Sequence, residues 1–315
     1  MNRRYFFFGC FGFALACSRS NPEAKARVSI TRAAAYSSDL SALMRSILVE
    51  HRVPVAGKRV LLKPNLVEFS SYNPINTHPL FVAAAADAFR SLKAKEVRIA
   101  EGPGHRRTTL DLASAAGYFN AIPRFEDTFT DLNLDEVSPV QLRNPFSSLS
   151  ELYLPHTVLA CDLLVSLPKM KTHHWTGATL SMKNLFGLVP GAVYGWPKNV
   201  LHWAGIHECI ADLHNLFPNQ FCLVDAIEAM EGNGPILGAA VHPGAIIAGA
   251  HPPSVDATCC QIMQIDPEKI GYLRLVSERS NWRSRSAQQI GESIRSVQKR
   301  FALIPELEYL RLNGA

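Results

Sequence analysis

Short apolar runs and longer amphipathic stretches alternate along this chain. The runs at residues 27–31, 59–62 and 96–100 have the length of strands, and residues 40–51 and 79–92 between them carry apolar side chains at helical spacing. Strands that alternate with helices are typical of a mostly parallel sheet with helices on both faces. The pattern therefore predicts an α/β fold.

The same alternation continues through the rest of the chain. Residues 127–149, rich in Asp, Asn, Ser and Pro, predict an irregular excursion, residues 227–238 predict a loop, and the chain beyond Pro267 predicts a tail of two or three helices. We expect residues 27–315 to form one α/β domain, with a division into two lobes as the alternative. The further predicted strands are 161–167, 221–224 and 245–248, and the further predicted helices are 108–118, 206–216 and 254–263.

Residues 1–17 have the composition of an export signal. Arg3 and Arg4 precede aromatic residues and an uncharged apolar run of roughly a dozen residues, the length of a signal-peptide core and too short to span a membrane comfortably. Paired arginines of this kind resemble a twin-arginine signal. An ordinary secretory signal and a buried N-terminal helix are the alternatives.

A lipid anchor is predicted at the end of that signal. Residues 14–17 resemble a bacterial lipobox that ends in Cys17, with Ala14 where leucine is usual. Residues 18–26 then form a polar tether. We expect an exported protein that is either periplasmic or held at the membrane as a lipoprotein through Cys17.

Charge and cysteine content narrow the class of protein. The chain of 315 residues is 47% hydrophobic and 19% charged, and without Arg3 and Arg4 it has 30 basic against 27 acidic residues and no run of five like charges. Nucleic-acid binding is therefore not expected. No cysteines form a Cys-x-x-Cys pair, so no iron–sulfur site is predicted. We expect the cysteines after Cys17 to be small buried residues, with a disulfide that the sequence does not pair as the alternative.

Candidate chemistry lies in the loops after the predicted strands, where sheets of this kind bind ligands. Lys63 and Asn65 follow the second strand, and Glu101 opens a Gly-Pro-Gly loop before a helix whose free N–H groups could receive an anion. This loop matches neither established phosphate-binding motif, and a capped turn is the alternative.

A second group of candidates follows the next buried strand. Lys169, Lys171 and His173 alternate in an extended segment, which places their side chains on one side, and Lys183 and Asn184 come shortly after. Two cations and an imidazole at a strand end predict binding of an anionic substrate or proton transfer.

A third group begins with Asp225 at another strand end. Glu231 and Asn233 follow in a glycine-rich turn, where Glu231 could be a base, a metal ligand or a capping carboxylate, and His78 could join these loops in the fold. A mixed set of His, Asp and Glu would suit a divalent metal, but no spacing indicates one, so the cofactor is left open. No Gly-x-Ser-x-Gly elbow is present, and a serine hydrolase is not expected.

Taken in order, these segments resemble the bacterial and archaeal family named domain of unknown function 362, over roughly residues 58–272. Some members of that family resemble ferredoxins in an iron–sulfur extension, for which this chain has no cysteine run, and residues 251–254 replace an Asp-Pro pair by His-Pro-Pro-Ser. Residues 101–107 also resemble a short loop of lactate-racemase-type proteins. The matching stretches are 62–65, 77–79, 168–173, 182–187, 224–227, 231–235 and 255–257, with His207.

The leading hypothesis is an envelope enzyme that acts on a small anionic substrate. Its candidate catalytic residues are His173, Glu231 and Lys171, and the reaction is open among racemases or isomerases, lyases and oxidoreductases. A non-catalytic lipoprotein that binds a ligand or metal, and a maturation factor for a redox partner, are the alternatives. The candidate substrate-binding residues are Lys63, Asn65, His78, Glu101, Lys169, Lys183, Asn184, Asp225 and Asn233.

Overall fold

Most strands of the described chain, residues 25–104 and 108–312, join one large sheet in this computed structural model. The predicted signal, residues 1–17, lies outside the described residues. The strands are β1 (Arg27–Arg32), β2 (Arg59–Pro64), β3 (Glu96–Glu101), β4 (Phe129–Asp131), β5 (Val137–Gln141), β6 (Glu151–Pro155), β7 (Leu163–Leu167), β8 (Lys169–His173), β9 (Gly177–Thr179), β10 (Gln220–Asn233), β11 (Leu237–Val241), β12 (Ala245–Gly249) and β13 (Gln288–Gly291).

The sheet is mixed, with a parallel centre. Its strand order is β13-β1-β12-β10-β7-β2-β3-β4, and the five strands from β10 to β4 run parallel to one another. β12 is antiparallel to β1 and β10, while β13 pairs parallel with β1. The second half of the long strand β10 pairs with β8 and β11, β9 pairs with β8, and β5 and β6 form a separate hairpin. The predicted mostly parallel sheet is confirmed.

Helices cover both faces of this sheet, as the sequence pattern predicted. α1 and α2 pack on one face, and α10, α11 and α12 pack on the other. No described helix is long and apolar enough to cross a membrane. The helices are α1 (Leu40–Glu50), α2 (Pro79–Ser91), α3 (Thr109–Ala115), α4 (Tyr118–Ala121), α5 (Phe125–Thr128), α6 (His156–Leu159), α7 (Ser181–Asn184), α8 (Gly191–Tyr194), α9 (Asn199–Trp203), α10 (Ile206–Leu216), α11 (Pro252–Ile262), α12 (Gly271–Arg279) and α13 (Ile294–Val297), with 3₁₀ turns at Leu185–Leu188, Pro267–Lys269 and Pro305–Leu310.

The central strands are apolar on both sides because each face meets helices. In β2, Val60 and Leu62 belong to the core under α1 and α2, whereas Leu61 belongs to the opposite core. This is why such strands read as continuous apolar runs rather than alternating ones. The cysteines after Cys17 are all free, and all are buried except Cys161, which is half-buried.

Two segments are more regular than the sequence indicated. Residues 127–149, expected to be irregular, contain β4 at the edge of the sheet and β5 of the separate hairpin. Residues 227–238, expected to be a loop, instead continue β10 to Asn233, and β11 begins at Leu237. The glycines there permit a hairpin rather than a loose loop, because Gly232, with φ of +82°, still pairs with Gly238.

Candidate functional site

Several of the predicted strand-end loops surround one cavity. It has a volume of about 200 Å³ and lies beyond the carboxyl ends of the parallel strands β2 and β3, the usual ligand position in sheets of this kind. We name it the lysine-lined cavity. The predicted candidates that line it are Lys63, Asn65, Glu101, Lys171, His173, Lys183 and Asn184.

A buried ion pair joins the ends of β2 and β3. Lys63 Nζ donates to the Glu101 carboxylate, and the side chains are only 1% and 2% exposed. Lys63 Nζ also donates to Pro64 O at 2.7 Å and to Asn184 Oδ1 at 3.1 Å, so its three N–H bonds are all in use. Lys63 therefore positions its neighbours and has no N–H group left for a ligand.

Gly187 passes directly against this ion pair. A Cβ atom at position 187 would overlap the Glu101 carboxylate and the Lys63 amine, and the Gly187 carbonyl accepts from Gly102 N at 2.9 Å. Glycine at this position lets the backbone approach two buried charged groups.

Two asparagines fix each other's amide orientation. Asn184 Nδ2 donates to Lys63 O at 3.0 Å and to Ser166 Oγ at 3.1 Å, so its Oδ1 is the acceptor that faces Asn65. Asn65 Nδ2 donates to that oxygen at 3.2 Å, which leaves Asn65 Oδ1 buried without a hydrogen-bond partner in the described parts of the chain. An unpaired buried acceptor costs about 1–3 kcal/mol. A ligand with an O–H or N–H group would satisfy it.

Lys171 is a fully buried amine without a carboxylate partner among the described residues. Its Nζ donates to Ile75 O at 2.8 Å and to Pro235 O at 3.3 Å. Burial holds its pKa well below the usual range, and the nearby Lys169 and Lys183 amines lower it further. The charged Lys171 ammonium has one N–H group left, which could donate a hydrogen bond to an anionic ligand.

Lys183 has the least constrained amine of the cavity. Its Nζ lies 3.9 Å from the centroid of the Phe186 ring and has no hydrogen-bond partner within residues 25–104 and 108–312. Burial, with the Lys63 amine next, lowers the pKa of Lys183 to about 7 against the opposing effect of Glu101. Near neutral pH this amine is therefore both free and partly uncharged.

Lys198 also lines the cavity, although the sequence did not single it out. Its Nζ donates to Gly102 O at 2.7 Å and Phe186 O at 2.6 Å, which leaves one N–H bond for a ligand. Burial lowers the pKa of Lys198 to about 7, while Glu101 raises it. Its φ of +71° lies in the left-handed region, at a cost of roughly 1–2 kcal/mol for a residue with a side chain. No pattern in the sequence marks this residue.

His173 is held in one tautomer. Its Nδ1 accepts from Trp175 N at 3.1 Å and from Thr176 N at 3.4 Å, so the proton of the neutral ring is on Nε2. Protonation of Nδ1 would break both bonds, and burial, with the Lys183 charge next, holds the pKa of His173 well below its usual range. The geometry makes His173 a hydrogen-bond donor through Nε2 rather than the acid and base that the sequence predicted.

Three predicted candidates lie in a second buried cluster and do not line the cavity. Lys169 Nζ donates to Asp225 Oδ2 at 2.6 Å, Tyr36 Oη at 2.9 Å and Glu228 O at 2.8 Å. Asp225 also accepts from Tyr36 Oη at 2.9 Å and from His78 N at 3.0 Å. These groups use one another's hydrogen bonds, so the cluster holds α2 and β10 together and leaves no N–H of Lys169 free.

Glu231 and Asn233 also lie outside the cavity. They are on the β10–β11 hairpin, where the Glu231 carboxylate accepts from Ala302 N at 2.8 Å and Asn233, exposed, pairs with Leu237. The strand that replaces the expected loop carries them to this position. The geometry gives neither residue a contact with the cavity.

Asp256 holds the short helix α7 that carries two cavity residues. Its buried carboxylate accepts from Ser181 N at 2.8 Å and Met182 N at 3.0 Å, and burial raises its pKa to about 7. Lys183 and Asn184 follow within the same turn. Asp256 therefore positions these two side chains without touching the cavity.

A divalent metal gains no support from this arrangement. In the described parts of the chain, no three His, Cys, Asp or Glu side chains come together as a metal-binding group. Among the described residues that line the cavity, Glu101 supplies the one carboxylate, and it is already bound to Lys63. Its amines suit an anion better than a cation.

The fold and the cavity define an α/β protein with a buried, lysine-rich site at the carboxyl ends of its parallel strands. Residues 60–261 match the family described as domain of unknown function DUF362, and the chain belongs to that family. The thylakoid-associated protein sll1697 of Synechocystis sp. is 27% identical over 220 residues, which cover 68% of this chain. The match spans 65% of that relative's own length.

Two solved structures are distantly similar. The lactate racemase apoprotein from Thermoanaerobacterium thermosaccharolyticum has a TM-score of 0.48 and 14% identity, over 76% of this chain and 57% of that one. A protein from Thermotoga maritima has a TM-score of 0.38 and 13% identity, over 76% and 58% of the two chains. At these identities both similarities concern the fold alone.

Proposed function

We propose that this protein is an enzyme that moves a proton on a small carboxylate substrate bound in the lysine-lined cavity. Lys183 carries the proposal, because its amine faces the cavity without a hydrogen-bond partner in the described chain and its pKa is about 7. A general base works best when its pKa lies near the working pH. Lys183 therefore takes the role of base that the sequence analysis gave to His173 and Glu231.

The remaining lysines supply the binding of the carboxylate. Lys171 and Lys198 each keep one N–H bond free, directed by two hydrogen bonds to backbone carbonyls. With Lys63 and Lys183 they place four amines against the single carboxylate of Glu101 in the described lining. An anion relieves this excess of positive charge, because each ammonium is a charge-assisted donor in a poorly solvated site.

The chemical step follows from these roles. The neutral Lys183 amine takes a proton from the carbon next to the carboxylate, and the electrons of that C–H bond move onto substrate oxygen. His173 Nε2–H and Lys171 donate hydrogen bonds to the oxygen on which charge develops. Return of the proton to carbon completes an isomerisation or racemisation, and loss of a neighbouring group completes an elimination. Proton removal is common to all of these reactions.

Hydrogen exchange tests the proposal. Small carboxylates are incubated with the protein in deuterated water, and NMR measures the loss of the C–H signal next to the carboxylate. We expect Lys183→Met to reduce the exchange rate by about 10²- to 10⁴-fold, since a general base contributes that much. Lys95→Met, an exposed lysine, is the matched control and should exchange at the wild-type rate.

Two outcomes would contradict the proposed reaction. Exchange that persists in Lys183→Met would exclude this amine as the base. Carboxylate binding to the wild-type protein, measured by calorimetry, without any exchange would instead make the protein a non-catalytic binding protein. The second outcome corresponds to the alternative that the sequence left open.

We also propose that the protein is exported and held at the membrane by a lipid on Cys17. The support is the sequence of residues 3–17, and the thylakoid association of the Synechocystis relative agrees with a position at a membrane. Arg3→Lys with Arg4→Lys should leave the protein in the cytoplasmic fraction, and Cys17→Ala should release it from membranes without its lipid mass. Unchanged fractionation of both variants, with no lipid mass on the wild-type protein, would refute this.

A further inference from the structure

Four aromatic rings lie close together in the wall of the lysine-lined cavity. The ring centroid of Trp175 lies 5.1 Å from that of His202 and 4.7 Å from that of His174, and His202 lies 5.8 Å from Phe186. All four rings line the cavity, yet Trp175 is 56% exposed. We name these four residues the aromatic rim. It lies in the same cavity as the amines, because Lys183 Nζ is over the Phe186 ring.

Hydrogen bonds orient the two imidazoles of the rim. His202 Nδ1 lies 3.0 Å from Lys198 O, and His174 Nδ1 lies 2.9 Å from Gly234 O. A carbonyl oxygen only accepts, so each Nδ1 carries the proton that it donates. Burial also lowers the pKa of His202. The rim therefore presents aromatic surfaces whose orientation is set by backbone carbonyls.

A bare carboxylate would leave this rim without a role. The amines behind it account for the charged part of a ligand, and Asn65 Oδ1 accounts for one donor group. A ligand with a flat aromatic part would cover the largely exposed Trp175 ring. Contact between two aromatic rings in a stacked or edge-on arrangement stabilises a complex by more than the burial of apolar area alone. Preorganised rings also need little ordering when the ligand binds.

We propose that the substrate is a carboxylate joined to an aromatic or heteroaromatic ring, with the carboxylate at Lys171 and Lys198 and the ring packed against Trp175 and His202. This proposal rests on the proposed function of the same cavity and adds its substrate class. With the carboxylate at these amines and the substrate ring at the aromatic rim, the carbon between them would lie near Lys183, which removes its proton.

Calorimetry with acetate, cyclohexylacetate and phenylacetate as probes tests the proposal on the full chain. We expect phenylacetate to bind the wild-type protein about tenfold more tightly than acetate, with cyclohexylacetate clearly weaker than phenylacetate. Trp175→Ala should reduce the ratio of phenylacetate to acetate affinity to about twofold. Trp203→Ala, an 80% exposed tryptophan that does not line the cavity, is the matched control and should keep the tenfold ratio.

The outcomes separate the substrate class from the site itself. Equal binding of acetate and phenylacetate, or a ratio that Trp175→Ala leaves unchanged, would contradict a ring-binding part of the site and leave the carboxylate site intact. Cyclohexylacetate that binds as tightly as phenylacetate would contradict the aromatic character of the substrate. Failure of every carboxylate to bind the folded wild-type protein would overturn the proposed function and this inference with it.

Discussion

Replacement of Lys63 by methionine is expected to lower the free energy of unfolding by about 3–5 kcal/mol, the usual effect of removing one partner from a buried ion pair. The substitution leaves the Glu101 carboxylate, 2% exposed, without its counter-charge. Two backbone N–H groups, at 3.0 and 3.1 Å, still donate to Glu101, but they stabilise only part of a buried charge. Urea denaturation followed by circular dichroism measures the loss.

The pair of Arg90 with Asp87 on helix α2 is the matched control. Its side chains are 43% and 64% exposed, so Arg90→Met should change stability by less than about 0.5 kcal/mol. The double variant Lys63→Met with Glu101→Gln removes the buried charge and should recover most of the loss. Two results would contradict a stabilising charged pair of Lys63 and Glu101. One is a double variant that is no more stable than Lys63→Met, and the other is a loss of stability in Lys63→Met as small as that in Arg90→Met.

The rate of proton transfer is expected to reach a maximum near pH 7, to fall about threefold over the first pH unit on either side, and to fall about tenfold per unit beyond that. Lys183 must be neutral to accept a proton, so kcat/KM falls as the pH drops below its pKa of about 7. Lys198 must be charged to bind the carboxylate, so kcat/KM falls as the pH rises above its pKa of about 7.

Substitution of Lys198 separates the two limbs of this profile. In Lys198→Met the alkaline limb should disappear while the acid limb of Lys183 stays, so kcat/KM, although lower throughout, rises with pH to a plateau. The Lys95→Met control should retain both limbs. Exchange measured from pH 5 to 9 gives the profiles. A flat wild-type profile, or an alkaline limb that survives Lys198→Met, would show that other groups govern the reaction.

The sequence located the site best where a strand determines the position of a side chain. Lys63 and Glu101 end the parallel strands β2 and β3, and parallel strands that are neighbours bring their carboxyl ends together. Asn184 was predicted because it comes shortly after the lysines of the next buried strand, and its orientation depends on contacts with Lys63 and Ser166 that no pattern contains. The periodicity of the sequence thus predicted where the site lies in the sheet. The hydrogen bonds that orient its side chains are seen only in the folded structure.

The remaining differences come from tertiary contacts. Lys169 and Lys171 were expected to share one ligand site, but every side chain of β8 is buried, and Lys169 pairs with Asp225 while Lys171 reaches the cavity. Alternation along a strand predicts that two side chains lie on the same side of the sheet, but it does not predict whether they bind the same partner. Lys198 lies outside any strand or helix and bonds to a carbonyl 96 positions earlier, which periodicity does not report.

The cavity exists only when distant parts of the chain have closed on one another. Lys63 bonds to Asn184 across 121 positions, and contacts of such separation form only after the long intervening loops have closed. A ligand of the cavity therefore recognises the native chain and none of its partly folded forms. By mass action, a free concentration one hundred times the Kd stabilises the native state by about 2.7 kcal/mol. Cells that lack the ligand would accordingly hold a larger share of this chain unfolded and open to proteolysis, so that the abundance of the protein follows the supply of what it binds.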